Sequence, residues 1–451
     1  MRMPSPGRLV ATVLAVVSLL PAQGRPPLPR ADGAPAMVAT ERYLFVVRGD
    51  VLYQFDIDTL QVRHRFRFPA DGKLPAAATA EVEVAEMVAI EEPPPPPPPA
   101  VELPPARSAE EIGAAIDAAL TWLKVHQDED GKWDCDGFMK HDLQGAPSDG
   151  PGNAVHDVGV TGLAVLAFLG NGSTMRSGPH KNEIKQAIVW LRNQQQHNGL
   201  FGVNASHDFV YDHAIATFAV CEAYGLSDYQ LLKDTAQKGI NYLESHRNPY
   251  AVWRYQPRDN DNDTSVTTWA ALAFVSGDFF GLQVNQQALQ LVSVWYDQVT
   301  SPDGRAGYTK AGEPSSRMPG DHATRFPPQN GETLTAAAAF GRLALGQTPE
   351  QKPILKAAAE LLLRKPPRWE PGHVDAVYWY FGSLAMWQMG GVYRDTWSRA
   401  LGVLVDQQRR DGSFAGSWDP IGVWDQAGGR VFVTSLYALS LAAPRRLARS
   451  R

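Results

Sequence analysis

The sequence contains little cysteine, no block of basic charge and no long apolar segment beyond its first residues. Cys135 and Cys221 are the two cysteines among 451 residues, which is too few for a disulfide framework, and the sequence leaves open whether they pair. The net charge of -6 and the scattered basic residues exclude a nucleic-acid surface and an anionic-membrane surface. No later apolar run is long and charge-free enough to cross a bilayer.

The N-terminus has a different pattern from the rest of the chain. Arg2 and Arg8 precede an apolar run over residues 9–20, and small residues follow at 22–24. This layout predicts a secretory signal peptide over residues 1–24, and therefore a secreted or periplasmic protein. An uncleaved N-terminal anchor is the alternative.

Residues 25–107 are predicted to form three short regions ahead of the main domain. Residues 25–40 are rich in proline and alanine and predict a flexible segment, and residues 41–69 predict three short β-strands separated by turns. Residues 70–107 are rich in alanine, glutamate and proline, with seven consecutive prolines at 93–99. Because proline cannot donate a backbone hydrogen bond, this region predicts an extended spacer, with a ligand for an aromatic groove as the alternative.

From residue 108 to about 445 two kinds of helical segment alternate. The amphipathic segments are 112–126, 184–195, 231–245, 288–298, 354–364 and 397–407. The segments that are apolar nearly all round are 158–169, 214–224, 265–274, 334–345, 376–389 and 431–441. A helix without a polar face is enclosed by other helices. Six hairpins that pair one helix of each kind predict an all-α fold, the α6–α6 (α/α) toroid.

A turn motif recurs after the amphipathic segments. It consists of glutamine, a glycine-rich turn and an aromatic residue, and it is clearest at residues 407–418. Weaker copies occur at 127–133, 196–201 and 302–308. The turn glycines, which a positive φ angle would require, are Gly131, Gly199, Gly304 and Gly412. We interpret the motif as structural, with the aromatic wedged between helices and the glutamine bound to exposed helix-end groups.

The motif at residues 407–418 resembles the QW repeat of squalene–hopene cyclases. The alternating helix pairs are similar to the prenyltransferase and squalene-cyclase repeat superfamily, over about residues 108–441. The resemblance implies a toroid with a central cavity. Squalene cyclases carry two helical barrels, whereas this chain has room for one, so it would be a divergent member.

Charged residues stand at the start of every apolar segment. Because the inner helices of a toroid run parallel, these residues predict a ring of carboxylates at one end, with Arg430 in the sixth place. The alternative is simple capping, since an acid in the first turn of a helix accepts backbone N–H groups. The aromatic residues on these helices either line the cavity or form inner-wall core. The predicted ligand-binding residues are His156, Asp157, Asp212, His213, Glu332, Trp269, Trp379, Tyr380 and Arg430.

The family activities require residues that this chain has only in part. The acid motif of the cyclases is Asp-x-Asp-Asp-Thr, and alignment of Thr264 with its threonine places Asn262 where the proton donor belongs. The zinc site of the prenyltransferases, an Asp, a Cys and a His, has no counterpart at the matching spacing, so no metal and no cofactor is predicted. The candidate catalytic residues are Asp261, Asp263 and Asp375.

These observations predict an exported toroid that binds a hydrophobic or cationic small molecule, or a protein partner, at an acidic, aromatic-lined central cavity. The alternative is an enzyme that uses the cavity carboxylates. It would be a terpene cyclase or mutase-like isomerase, or a lyase or hydrolase acting on carbohydrate. The sequence leaves open whether the protein is a catalyst, which ligand it binds and whether it forms oligomers.

Overall fold

The computed structural model describes four strands by their backbone, within residues 36–67, and residues 103–447 with their side chains. The chain divides into two compact units, residues 1–96 and residues 97–451. The predicted signal peptide over residues 1–24 and the proline run at 93–99 lie outside the described residues.

The first unit contains a four-stranded antiparallel sheet. Its strands are β1 (Ala36–Ala39), β2 (Tyr43–Arg48), β3 (Val51–Asp56) and β4 (Val62–Arg67), in the order β1-β2-β3-β4. The sequence predicts three of these strands, and the structure adds β1 in the segment predicted to be flexible. The four residues of β1 are too few to show an alternating pattern, and β1 is defined by its pairing with β2, in which Ala36 lies opposite Val47.

The described part of the second unit is helical. Its helices are α1 (Ala109–Val125), α2 (Asp157–Gly170), α3 (Lys181–Gln194), α4 (Phe209–Ser227), α5 (Lys233–His246), α6 (Thr264–Phe279), α7 (Gln286–Val299), α8 (His322–Arg325), α9 (Thr333–Ala344), α10 (Ile354–Arg364), α11 (Ala376–Met389), α12 (Gly391–Ala400), α13 (Gly402–Gln407), α14 (Asp425–Leu441) and α15 (Ala443–Leu447).

The six inner helices close into a ring. Contacts run from α2 to α4, α6, α9, α11 and α14, and α14 packs back on α2. Every residue of α2 is buried, as an apolar helix enclosed by neighbours requires. The outer wall consists of α1, α3, α5, α7 and α10, with α12 and α13 together forming its sixth member. The predicted α/α toroid of six hairpins is therefore confirmed.

Glutamine side chains connect successive hairpins. The amides of Gln127, Gln195 and Gln408 each donate to a carbonyl of their own turn and to a carbonyl of the next outer helix. The acceptors on the neighbouring helices are Glu183, Thr235 and Ala115. Since Ala115 belongs to α1, Gln408 joins the last hairpin to the first. Gln127 and Gln408 lie within the predicted copies of the motif, whereas Gln195 lies one position before the copy predicted at 196–201.

Glycine and tryptophan complete these turns. In the last hairpin the close approach is made by Gly416, where a Cβ would lie 2.3 Å from the carbonyl oxygen of Ala118. A Cβ at the predicted Gly412 would meet nothing nearer than 3.7 Å. The indole N–H groups of Trp133, Trp253 and Trp418 each donate to a backbone carbonyl of the preceding outer helix, at 2.8 Å. This network explains why the turn motif is structural.

Aromatic side chains fill the middle of the ring. Trp269 of α6 and Tyr380 of α11 stack with 5.6 Å between ring centroids, although α9 separates these two helices in the ring. Phe381 packs on both rings. Near the ends of the inner helices α15 contacts α2 and α11. At this level the aromatic residues are core, one of the two alternatives that the sequence left open.

Two further predictions concern cysteine and the membrane. Cys135 and Cys221 are buried and unpaired. Among the described residues, no helix has the length and apolar character needed to cross a bilayer.

Candidate functional site

The inner helices all begin at one end of the toroid, because each is followed by an outer helix that runs back. This end is partly open to solvent. Side chains near the first turns of four inner helices, and one just before α2, are partly exposed there: His156, Tyr211, Ser265, Val377 and Phe432.

Asp263 caps α6 at this end and is completely buried. Its Oδ1 accepts hydrogen bonds from the backbone N–H of Val266 and from the hydroxyl of Ser265, both at 2.8 Å. Its Oδ2 has no hydrogen-bond partner among the described residues, and Nε of Arg254 lies 3.8 Å away. Burial raises the pKa of Asp263 to about 6, against the lowering effect of these hydrogen bonds and of Arg254.

Three tyrosines surround Asp263. The hydroxyl of Tyr211 lies 2.6 Å from that of Ser265, and the hydroxyls of Tyr255 and Tyr308 lie 2.6 Å apart. The guanidinium of Arg254 stands over the rings of Tyr255 and Tyr308, at 5.6 and 5.4 Å. Tyr211 and Tyr255 are partly exposed, which connects the group to solvent. We call Asp263, Arg254 and the three tyrosines the tyrosine site.

Asp261 and Asn262, which precede Asp263 in the chain, lie in surroundings that differ from those of Asp263. Asp261 is exposed and lies 3.2 Å from the guanidinium of Arg254, on the solvent side. Asn262, which aligns with the proton donor of the cyclases, accepts hydrogen bonds at Oδ1 from Asn248 and from the backbone of Val252. Of the two predicted catalytic residues in this stretch, Asp261 and Asp263, only Asp263 is buried and has a carboxylate oxygen without a hydrogen-bond partner among the described residues.

His156 and Asp212 form a pair at the open end. Nδ1 of His156 lies 3.0 Å from Oδ2 of Asp212. Burial raises the pKa of Asp212 to about 6, although His156 lowers it. Burial lowers the pKa of His156, but the hydrogen bond and charge of Asp212 outweigh this, so the pKa of His156 is raised overall. Two predicted ligand-binding residues are therefore brought together.

Both ring nitrogens of His213 are hydrogen-bonded to the backbone inside the wall of the toroid. Its Nδ1 accepts from the backbone N–H of Phe201 at 2.9 Å, and its Nε2 donates to the carbonyl of Gly239 at 3.2 Å. Threonine hydroxyls accept the corresponding backbone N–H in three other hairpins: Thr161, Thr267 and Thr335. Burial lowers the pKa of His213 to about 3, so the ring is neutral and saturated within the wall.

Three other predicted residues are bound within the wall by charged or polar partners. Asp157 accepts from Lys132 at 2.7 Å and from the backbone of Cys135, and Glu332 pairs with Lys365 at 2.6 Å. Arg430 is completely buried. The acceptors around its guanidinium are Asp149, Ser417, Trp418 and Asp419. These contacts occupy the groups that a ligand would use.

Asp375 and Asp425 lie at the starts of α11 and α14. Asp375 accepts from the backbone of Tyr378 at 2.9 Å and from the hydroxyl of Thr333 at 2.8 Å. Asp425, which the sequence analysis missed, accepts from the backbone N–H of Gly422 at 2.6 Å through Oδ2, whereas its Oδ1 has no partner among the described residues. Burial, with a contribution from Asp375, raises the pKa of Asp425 to about 7.

The carboxylates of Asp134, Asp136 and Asp157 approach within 4.8 Å of one another, close enough in principle for a metal ion. The ammonium group of Lys132 lies 2.7 Å from Asp157 and 3.4 Å from Asp134. The ammonium group of Lys140 lies 3.0 Å from Asp134, so two lysines offset part of the negative charge of the group.

No protein-family model and no curated protein sequence matches this chain. Cellobiose 2-epimerase from Bacillus thermoamylovorans B4167 is 12% identical, with 74% of this chain and 98% of the epimerase covered and a TM-score of 0.50. An inactive variant of the α-1,6-mannanase of Salegentibacter sp. HEL1_6, solved with α-1,6-mannotriose, is 10% identical over 74% of this chain and 99% of the mannanase, with a TM-score of 0.51.

The type II terpene cyclase MstE from Scytonema is 16% identical over 75% of this chain and 100% of the cyclase, with a TM-score of 0.48. The fold is the α/α toroid. At these identities the epimerase and the mannanase show the fold alone.

Proposed function

We propose that this protein binds a neutral small molecule at the tyrosine site. The observation that carries the proposal is the unpaired Oδ2 of Asp263, which is completely buried yet adjoins partly exposed tyrosines. A buried polar atom without a partner is unfavourable unless a ligand or water satisfies it. With its pKa raised to about 6, the carboxyl is protonated in mildly acidic solution and can then donate a hydrogen bond.

The charge around the site favours a neutral ligand over the cationic one that the sequence also predicts. Arg254 already covers the faces of Tyr255 and Tyr308, where a cation would bind. A hydrophobic molecule that carries a hydroxyl or carbonyl group suits both the aromatic rings and the carboxyl. The protein would be an exported, divergent relative of the prenyltransferase and squalene-cyclase repeat proteins, which the signal-like N-terminus and the glutamine–tryptophan turns support.

A second candidate function is acid catalysis at the same site. A general acid is most effective when its pKa lies near the operating pH, and the pKa of Asp263 is raised to about 6. In that case the protein would be a terpenoid-cyclase-type isomerase, or a lyase or hydrolase acting on carbohydrate.

The test compares wild type with Asp263→Ala and Asp263→Asn in a thermal-shift assay. The probes are geranylgeraniol, cellobiose and tetramethylammonium. We expect geranylgeraniol to raise the Tm of wild type and of Asp263→Asn, because an amide also caps the helix and donates a hydrogen bond. Asp263→Ala is expected to lose this shift, and the exposed Asp261→Asn serves as the control that retains it.

Two outcomes would separate or reject the candidates. Catalysis would be established if wild type converts one of the probes to a product and Asp263→Asn does not, while Asp263→Asn still shows the thermal shift. The reason is that an amide cannot supply the proton. A Tm shift of equal size in Asp263→Ala and wild type would reject the tyrosine site.

A further inference from the structure

Residues 309–331 cross from the fourth hairpin to the fifth and sixth. Nε2 of His322 donates to the carbonyl of Val423 at 2.9 Å, and the His322 ring lies 5.6 Å from that of Trp424. The amide of Gln426 lies 3.3 Å from Sδ of Met318. At its far end the amide of Asn330 donates to the carbonyl of Gly372 at 3.0 Å. The segment therefore rests on the two loops that lead into α11 and α14.

These two loops carry Asp375 and Asp425, and Tyr437 of α14 is the third member of the group. Asp425 is 1% exposed and Tyr437 is 0% exposed. Oδ1 of Asp425 and the hydroxyl of Tyr437 both lack a hydrogen-bond partner among the described residues. The backbone N–H of Val423 donates to the carbonyl of Val374 at 3.2 Å, which joins the chain just before Asp425 to the chain just before Asp375. Burial raises the pKa of Tyr437, and the charges of Asp425 and Asp375 raise it further.

The surroundings of this group are aromatic and carry little positive charge. The ring of Tyr437 packs against Trp379, Trp369 and Trp418 at 5.6, 5.9 and 5.6 Å. Arg317, on the covering segment, is the cation whose charge acts on Asp375. Burial raises the pKa of both carboxyls, and it raises that of Asp425 to about 7. A protonated carboxyl and a phenol can each donate one hydrogen bond and accept another.

We propose that residues 309–331 form a lid over a second binding site, made by Asp375, Asp425 and Tyr437, which admits a neutral molecule with hydrogen-bond acceptors when the lid lifts. The contacts that hold the lid are few, and His322 makes two of them, to Val423 and Trp424. The two unpaired oxygens mark where the molecule binds. This site is separate from the tyrosine site, and neither proposal depends on the other.

Dicyclohexylcarbodiimide is a suitable probe, because it is neutral, apolar and reacts with protonated carboxyls. The carboxyl oxygen bonds to the central carbon of the carbodiimide while the carboxyl proton passes to a nitrogen, and an acyl shift from oxygen to nitrogen leaves a stable N-acylurea. Peptide mass spectrometry then measures the labelled fraction at each aspartate. We expect Asp425 or Asp375 to be labelled in wild type.

Two variants test the lid in opposite directions. The side chains of Met318 and Gln426 meet at their tips. In Met318→Cys/Gln426→Cys a bis-maleimide that contains a disulfide bridges the two shorter side chains and fixes the lid, so labelling is expected to fall at least tenfold and to return on reduction. His322→Ala removes the contacts of His322 with Val423 and Trp424, together with those that it makes to Met318 and Phe326 within the lid, and is expected to increase the labelling rate severalfold. Asp263, which lies on neither loop, is the internal control and keeps its labelling in both variants.

The proposal fails if the cross-linked double variant is labelled to the same extent at Asp425 and Asp375 before and after reduction. It fails equally if neither residue is labelled in wild type and in His322→Ala. If the cross-link does not form, the labelling rate of Asp375 and Asp425 in His322→Ala is the deciding measurement. A rate equal to that of wild type rejects the lid.

Discussion

Four buried aspartates at the open end of the toroid have raised pKa values: Asp212, Asp263, Asp375 and Asp425. Burial is the main cause in each case, and it raises the pKa of Asp212 and Asp263 to about 6 and that of Asp425 to about 7. An unfolded aspartate has a pKa of about 3.9. Between these values the folded protein binds more protons at these aspartates than the unfolded chain does, so the stability that they contribute falls as the pH rises from about 4 to about 7.

Asp425→Asn is expected to reduce this pH dependence. The amide imitates the protonated carboxyl and cannot ionise, so the variant avoids a cost of up to about 4 kcal/mol that wild type carries above pH 7. Urea unfolding at pH 5 and pH 8 measures the difference. We expect the stability advantage of Asp425→Asn over wild type to be clearly larger at pH 8 than at pH 5. The exposed Asp261→Asn is expected to keep the wild-type slope. Identical slopes in all three proteins would contradict the raised pKa of Asp425.

The sequence predicted where most of these acids lie, but not their surroundings. Asp263 and Asp375 begin inner helices because they precede apolar runs, and this pattern is visible in the sequence. Asp425 was missed because Gly429, at φ 64°, kinks α14 and interrupts its apolar pattern, so the helix was predicted to begin later. Both ring nitrogens of His213 are hydrogen-bonded, to Phe201 and to Gly239, and no local sequence pattern reveals these contacts.

At the scale of the elements, the hairpins depend on side-chain amides between them. Gln408 donates to the carbonyl of Ala115 at 2.8 Å and to that of Gly416 at 2.9 Å. The first of these bonds joins α1 to the last turn, and Arg107 forms a salt bridge with Asp406 beside it. The contacts therefore stabilise the closure of the ring.

Gln408→Ala is expected to lower the free energy of unfolding by about 1–3 kcal/mol, because it removes two partly buried hydrogen bonds. Gln407→Ala is the matched control, since Gln407 is exposed and is the last residue of α13, next to Gln408. Urea unfolding of both variants measures the effect. Equal stabilities of the two variants would show that the glutamine bridge does not stabilise the closure.

Periodicity predicted the type and order of the helices but not all their ends. The sixth outer helix was predicted from residue 397, whereas the structure begins it at Gly391 and divides it near Leu401. Residues 391–396 carry few apolar side chains, so the amphipathic pattern begins only at residue 397, although the sequence is helix-like from Tyr393. Likewise β1 depends on pairing with β2 and has no signal of its own.

At the scale of the whole molecule, the alternation of amphipathic and apolar helices was sufficient to predict a closed double ring. Which side chains fill the centre of the ring could not be predicted in the same way. Trp269 and Tyr380 are far apart in sequence, and their stacking follows from the curvature of the ring, which a single sequence does not give. The sequence therefore left open whether these rings line a cavity or form core.

The central claim is that the first and last hairpins meet, so that the acids of several repeats share one end. Gly412 and Ala146 belong to these hairpins, and a Cβ at Gly412 would lie 3.7 Å from that of Ala146. Disulfides have Cβ atoms about 3.8 Å apart. We expect Gly412→Cys/Ala146→Cys to form an intramolecular disulfide under mild oxidation, detected by mass spectrometry of the intact and digested monomer. Gly412→Cys/Pro302→Cys, with its second cysteine in the fourth hairpin, is the control that should form none. A first pair that stays reduced, or that links only separate molecules, would contradict the closed ring.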